Sequence, residues 1–234
     1  MKRRPGRAEA GRPRRPPGRN ECLAGAVGQT GQLGPRGQAS GPGQIRIIGG
    51  AWRGSRVTFP AAPGLRPTPD RVRETLFNWL APLIEDSVCL DLCAGAGGLG
   101  LEALSRGARR VVFVDSAPAA VAELKATLAR LPALGEADLR QTDVIDFLRN
   151  TPAPDIRPDV VFIDPPYATG LAPEILRALS DSAWSAPGQR IYLEHDAPIA
   201  LPDDVPLAPY RTRRAGQVHF GLWRLGFTAG ADAS

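Results

Sequence analysis

The stretch that decides the fold is Val88-Cys89-Leu90-Asp91-Leu92-Cys93-Ala94-Gly95-Ala96-Gly97, followed by Gly98-Leu99-Gly100-Leu101-Glu102-Ala103-Leu104-Ser105-Arg106-Gly107. An apolar run of strand length gives way to closely spaced glycines and then to a helix-like segment. A strand, a glycine turn and a helix start in that order leave backbone N–H groups facing a ligand of nucleotide size. About seventy residues further on, Val160-Val161-Phe162-Ile163 leads into Asp164-Pro165-Pro166-Tyr167. Both motifs follow strands, so both lie at carboxyl ends, where open parallel α/β sheets bind their ligands. The pair reads as a cofactor site beside a substrate site.

Working outward, strands are predicted at 88–92, 110–115, 137–142, 159–163 and 190–194. Helices are predicted at 98–107, 117–130, 143–149 and 171–180. The alternation describes a doubly wound α/β domain. Upstream, 45–50 and 56–59 read as two short strands around a glycine-rich turn. Pro69-Asp70 then opens a helix with Val72, Leu76, Phe77, Trp79 and Leu80 on one side. Downstream, 210–213 and 218–223 flank Ala215-Gly216 as a closing antiparallel hairpin. The expected organisation is a disordered basic tail rich in Gly, Pro and Arg (1–43), an N-terminal hairpin and helix (44–84), a main domain (85–228) and a flexible end (229–234).

Hydrophobic residues make up 43% of the 234, enough for a substantial core. No apolar run approaches a membrane span. Met1-Lys2-Arg3-Arg4 is not followed by the apolar segment of a signal peptide. Three cysteines, an odd number with two in one strand and its exit, argue against a disulfide framework or zinc site and for a reducing cytoplasm. The net charge of +5 is uneven: residues 1–44 carry +7, residues 45–80 carry +4 and residues 81–234 carry −6. Positive charge concentrated at one end points to a polyanionic partner. Within structured sequence the expected phosphate contacts are Arg46, Arg53, Arg66, Arg71 and Arg73.

Gly95, Gly97 and Gly100 satisfy G-x-G-x-x-G, and Asp115 ends the next strand twenty residues after Gly95. The glycines admit close backbone approach, and the acid can accept ribose hydroxyls. That much suits either NAD or S-adenosylmethionine. Asp91 separates them, because a carboxylate inside the turn repels a pyrophosphate but pairs with a methionyl ammonium. Asp143 is placed either to meet the adenine amino group or to cap the following helix. In Asp164-Pro165-Pro166-Tyr167, two prolines hold a carbonyl rigidly without an N–H donor at either position. Asp164 and that carbonyl can both accept from an exocyclic amino group, and Tyr167 offers a face for an extracted base. Cys93 is a weak candidate nucleophile for carbon methylation, and His195 and His219 read as structural.

Asp164-Pro165-Pro166-Tyr167 resembles the amino-methyltransferase motif of Rossmann-like S-adenosylmethionine enzymes. Three further stretches, 45–54, 63–80 and 98–107, are similar to the bacterial 16S ribosomal RNA guanine-N2 methyltransferases. The match runs from about residue 43 to residue 227. The resemblance implies a mostly parallel seven-stranded Rossmann-like methyltransferase sheet with a C-terminal antiparallel hairpin and a small N-terminal hairpin-and-helix extension. It implies methyl transfer from S-adenosyl-L-methionine to N2 of one guanine, guanine 966 of 16S rRNA, within an assembling 30S particle. The chain is expected to act as a monomer, without metal or membrane. The expected cofactor residues are Asp91, Cys93, Ala94, Gly95, Gly97, Leu99, Asp115, Ser116, Asp143 and Val144, and the catalytic ones Asp164, Pro165, Pro166 and Tyr167. Cys93 and Ala96 stand where the family has Phe and Ser, and Asp115 where it has Glu. The basic tail lies outside the family pattern. The competing readings are a DNA amino-methyltransferase, disfavoured by the lack of a target-recognition domain, an NAD-dependent dehydrogenase, which leaves Asp164 and its prolines idle, and a catalytically silent RNA-binding protein.

Overall fold

The computed structural model describes residues 43–59, 68–132, 134–152, 155–166 and 169–226. In chain order the elements are β1 (Gly43–Arg46), β2 (Arg56–Phe59), α1 (Asp70–Leu80), β3 (Val88–Leu92), α2 (Gly98–Ser105), β4 (Arg110–Asp115), α3 (Pro118–Arg130), β5 (Glu136–Gln141), α4 (Val144–Asn150), β6 (Val160–Ile163), α5 (Ala172–Asp181), β7 (Arg190–His195), β8 (Leu207–Ala215) and β9 (Val218–Leu225). The tail before residue 43, Arg66, Tyr167 and the segment after residue 226 lie outside the described residues.

Seven strands form one sheet in the order β5-β4-β3-β6-β7-β9-β8, parallel from β5 to β7 and antiparallel at β9 and β8. This is the expected doubly wound, mostly parallel sheet. The chain runs outward through β3, β4 and β5, then returns to lay β6 on the other side of β3. The order therefore reverses between β3 and β6, and the ligand crevice of such a sheet opens at that point. Strands β3 and β6 are buried at every position, as central strands covered on both faces must be. Edge strand β5 is exposed or half-exposed throughout.

Alternate residues feed two cores. Cys89, Val111, Phe113, Phe162, Tyr192, Phe220 and Leu222 pack with β1, β2, α1, α2 and α3 on one face. Leu90, Leu92, Val112, Val114, Val161, Ile163, Leu193 and Trp223 pack with α4 and α5 on the other. Each fully buried Leu, Ile or Phe contributes roughly 1.5–3 kcal/mol. Gly100 lets α2 approach β4, since any side chain there would run into the Phe113 ring. The N-terminal hairpin shares the first core through Ile45, Ile47, Val57 and Phe59.

A buried carboxylate fastens that hairpin to α2. Glu102, with no exposure, accepts from Ile48 N and Gly49 N at 2.8 Å each and from Arg106 Nε at 2.8 Å. Gly50 lies in the left-handed region against the Ser105 backbone, where a side chain cannot fit. These bonds explain why the first strand ends at Arg46 and does not continue to residue 50: the amides of Ile48 and Gly49 are directed to Glu102. Similarly α2 stops at Ser105, because Gly107 adopts φ +98°. Strand β8 is longer than the predicted 210–213 and carries a bulge between Pro209 and Arg211.

Candidate active site

Strand β3 brings Asp91 to the carboxyl edge, where it is 2% exposed. One oxygen, Oδ2, accepts from Gly100 N at 2.9 Å, locking the strand end to the first turn of α2. Burial pushes this carboxyl up to about 7; the Gly100 bond opposes the shift and Asp115 adds to it. The turn after β3 is tightly held. Cys93 has φ +64°, a left-handed conformation unusual for a residue with a side chain. Ala94 N donates to Val114 O at 2.9 Å, and Gly97 N to Ala94 O at 2.7 Å. Gly97 is itself left-handed, and Leu99 is buried beneath the turn.

Asp115, at the end of β4, accepts from Gly95 N at 2.7 Å and from Ala117 N at 2.8 Å. Ser116 beside it is exposed. Asp143 caps α4: its Oδ1 accepts from Ile145 N at 2.8 Å and Asp146 N at 3.2 Å, with Val144 buried next to it. The capping alternative is therefore realised, and through one oxygen only, which leaves the adenine reading compatible with it. Burial pushes the Cys93 thiol up to about 12, reinforced by Asp115, Asp91, Asp164 and Asp143. Four carboxylates from four strand ends thus act on one point. A thiol held neutral there is not a nucleophile at physiological pH.

Leu92 of β3 pairs with Ile163 of β6, so Asp164 starts its loop beside the Cys93 turn. Its Oδ2 accepts from Thr68 Oγ1 at 3.1 Å. Ile163 also pairs with Leu193 of β7, which sets Glu194 at the next step on the neighbouring strand. Glu194 is buried and accepts from Tyr192 Oη at 2.7 Å. Burial and Glu194 lift the Asp164 carboxyl well above the usual carboxylate range, against the Thr68 bond, which lowers it. Pro165 is buried and Pro166 exposed. The Pro166 carbonyl accepts from Thr169 N at 3.0 Å and Thr169 Oγ1 at 2.6 Å. The Pro165 carbonyl accepts nothing from the described residues.

Sequence reading missed Thr68 and Glu194. Glu194 had a usable signal: an acid directly after the apolar run Ile191-Tyr192-Leu193, the pattern that singled out Asp164. Thr68 had none, because its role depends on where the chain before α1 crosses the sheet edge. Of the arginines assigned to phosphate, Arg46, Arg53 and Arg71 are exposed. Arg73 is a correction. It is 1% exposed, donates to the Arg46 carbonyl at 2.7 Å and to Asp70 Oδ1 at 2.6 Å, and lies 3.8 Å from Glu102 Oε2. It sits inside the fold because its neighbours on α1, Val72 and Leu76, turn that side of the helix into the core.

The sheet order, the glycine turn and the second motif on the adjacent strand place this chain among proteins of the Rossmann-like methyltransferase fold. A family described as Conserved hypothetical protein 95 matches residues 45–224. Ribosomal RNA small subunit methyltransferase D of Escherichia coli strain K12 is 45% identical over 196 residues, 83% of this chain and 96% of that protein. The protein of the same name from Haemophilus influenzae is 41% identical over 187 residues, 78% and 94% of the two chains. Among solved structures, Escherichia coli yhhF superposes with a TM-score of 0.69 at 40% identity, covering 78% of this chain and 98% of that one. The chain belongs to the ribosomal RNA small subunit methyltransferase D family.

Proposed function

We propose that this protein transfers the methyl group of S-adenosyl-L-methionine to the exocyclic N2 of one guanine of 16S rRNA, guanine 966 in the family's target, within an assembling 30S particle. The observation that carries the reading is the ring of Asp91, Asp115, Asp143 and Asp164 about the glycine turn. A site so negative suits a cofactor bearing an ammonium and a sulfonium, and opposes a pyrophosphate. The dehydrogenase alternative fails on this electrostatic ground.

Bound S-adenosylmethionine supplies a methyl group on a positively charged sulfur. Asp91 would hold the ammonium, Asp115 the ribose hydroxyls, and Asp143, through its remaining oxygen, the adenine amino group. At the reacting centre, Asp164 and the Pro165 carbonyl accept the two N–H bonds of the guanine amino group. Thr68 donates to Asp164 Oδ2, which leaves Oδ1 as the oxygen to accept from the substrate. Attack of N2 on that methyl would release the electron pair of the old bond to sulfur and leave N2 positively charged. A carboxylate made more basic by burial and by Glu194 stabilises that charge and takes the proton N2 sheds.

The test is methylation of purified 30S particles and of naked 16S transcript with methyl-labelled cofactor, followed by mass mapping of the product. Label on guanine N2 at one position is expected. No label with either substrate, or label at another atom than guanine N2, rejects the reading.

Cofactor affinity carries a pH signature. The free Asp91 carboxyl titrates at about 7, and pairing with an ammonium favours its ionised form. Affinity therefore weakens as pH falls below that value and is flat just above it. In the alkaline range the ligand's own ammonium deprotonates, and affinity falls again. Calorimetry with S-adenosylhomocysteine from pH 5.5 to 9 is expected to show this maximum, with Asp91→Asn binding weakly and losing the acidic limb. An acidic limb retained in Asp91→Asn would remove Asp91 from the ammonium site.

A further inference from the structure

The average of −6 over residues 81–234 conceals a segment of opposite character. Residues 205–226, almost all of β8 and β9, contain Arg211, Arg213, Arg214 and Arg224 and no acidic residue. The structure places most of this charge on one face. Tyr192, Phe220 and Leu222 point to the α1 side of the sheet, so by alternation Arg190 and Arg224 do too. Arg211 and Arg213 are the cross-strand partners of Leu222 and Phe220 and share their face. The bulge in β8 inserts Tyr210 among them, and its exposed ring collects three guanidinium groups: Arg190 at 5.0 Å, Arg211 at 5.4 Å and Arg224 at 5.8 Å.

Like charges gathered on one ring repel, and an anion joining Arg190 and Arg211 would relieve that repulsion. Some described arginines elsewhere answer to carboxylates: Arg106 to Glu102, Arg110 to Glu136 and Asp138, Arg140 to Asp138 and Arg177 to Asp204. Arg190, Arg211, Arg213 and Arg214 form no ion pair with any described carboxylate. Burial, and the neighbouring Arg224, pull the Arg190 guanidinium below its ordinary value. Its Nε is buried and unpartnered among the described residues.

The patch also points at the reacting site. Glu194 of β7, one step beyond the level of Ile163, pairs with Phe220 of β9, and Phe220 with Arg213 of β8. Arg213 therefore lies on the same row as Asp164, three strands away, a distance of about 14 Å at ~4.8 Å per strand. Arg211 and the Tyr210 cluster continue the row of charge away from that edge.

We infer that the β7-β9-β8 face is a phosphate-binding track that holds the RNA backbone flanking the target guanine, with Arg213 nearest the site and the Tyr210 cluster, which includes Arg211, at its far end. This inference rests on the proposed RNA substrate and adds a second contact surface to the N-terminal arginines. Exposed guanidiniums along an edge strand suit a polyanion threaded past a catalytic edge, because phosphate contacts position the chain without demanding sequence.

The test compares Arg211→Gln/Arg213→Gln with wild type for affinity to 30S particles and to labelled 16S transcript across a salt series. Each lost phosphate contact removes about 0.7 from the log–log slope on single strands, so the double variant is expected to flatten it by about 1.4 and to bind roughly 25-fold more weakly at 0.1 M salt. Arg211→Lys/Arg213→Lys should retain the slope, and Arg140→Gln, removing an arginine already paired with Asp138, should behave as wild type. Cofactor affinity should be unchanged in all of them. An unaltered slope and affinity in the glutamine variant, with wild type binding normally, overturns the inference. Weakening on particles alone, with the transcript slope intact, assigns the patch to a ribosomal protein and overturns it too. Wild type that neither binds nor methylates rRNA instead defeats the substrate reading on which the inference stands.

Discussion

Asp164→Ala protein is expected to lose methyl transfer by ~100-fold or more, the loss typical of removing one preorganised hydrogen-bonding group at a reacting centre. Cofactor affinity should stay within a few-fold, because Asp164 is assigned to the target amino group. Its neighbours make it an unusual carboxylate: Thr68 holds one oxygen at 3.1 Å, and burial together with Glu194 raises its basicity. Asp164→Asn keeps the shape but cannot take a proton, so it should fall nearly as far as alanine. Single-turnover transfer on 30S particles, with cofactor affinity measured in parallel, decides the matter. Near-normal turnover in the alanine variant sinks the assignment.

Arg73→Ala should unfold more readily than wild type by about 3 kcal/mol, the scale seen when one partner of a buried charge pair is removed. The guanidinium is 1% exposed, and Glu102, 3.8 Å from its Nη1, has no exposure at all. Without Arg73 the Arg46 carbonyl loses its 2.7 Å donor and the buried Glu102 loses a nearby cation. Urea unfolding measures the change, and the salt slope of RNA binding should be the same as wild type. Undiminished stability with a flattened slope would return Arg73 to the set of phosphate contacts.

Much of this was legible in the chain because both key motifs are local. The apolar runs before Asp91 and Asp164 mark strands at their carboxyl ends, and residues three to nine positions away complete each turn. Strand limits at 88–92 and 110–115 match the structure residue for residue, since these apolar runs are cleanly bounded. What escaped depends on contacts distant in sequence. Thr68 meets Asp164 across 96 positions, and Glu102 meets Ile48 across 54. Arg73 looked like its neighbour Arg71, and only the packing of α1 separates an internal cation from an exposed one. The charge of β8 and β9 escaped for another reason: summing over a long acidic region cancelled it.

Glu102, Ser105 and Gly50 also set the grain at which this protein can be recombined with its relatives. Ser105 receives Trp52 N at 2.9 Å and gives its own hydroxyl to the Gly49 carbonyl at 2.6 Å, so the bonds that hold the glycine-rich turn of the N-terminal hairpin terminate on the helix behind the glycine turn of β3. A graft that exchanged residues 43–59 alone would have to present its own amides to Glu102 and Ser105 in the same geometry, or leave Glu102 with only its arginine partners Arg106 and Arg73. A piece running from residue 43 through Arg106 keeps these bonds together and carries the whole glycine turn after β3 with it. Crossover points chosen after Arg106 should yield folded hybrids, and those placed between β2 and α2 should not.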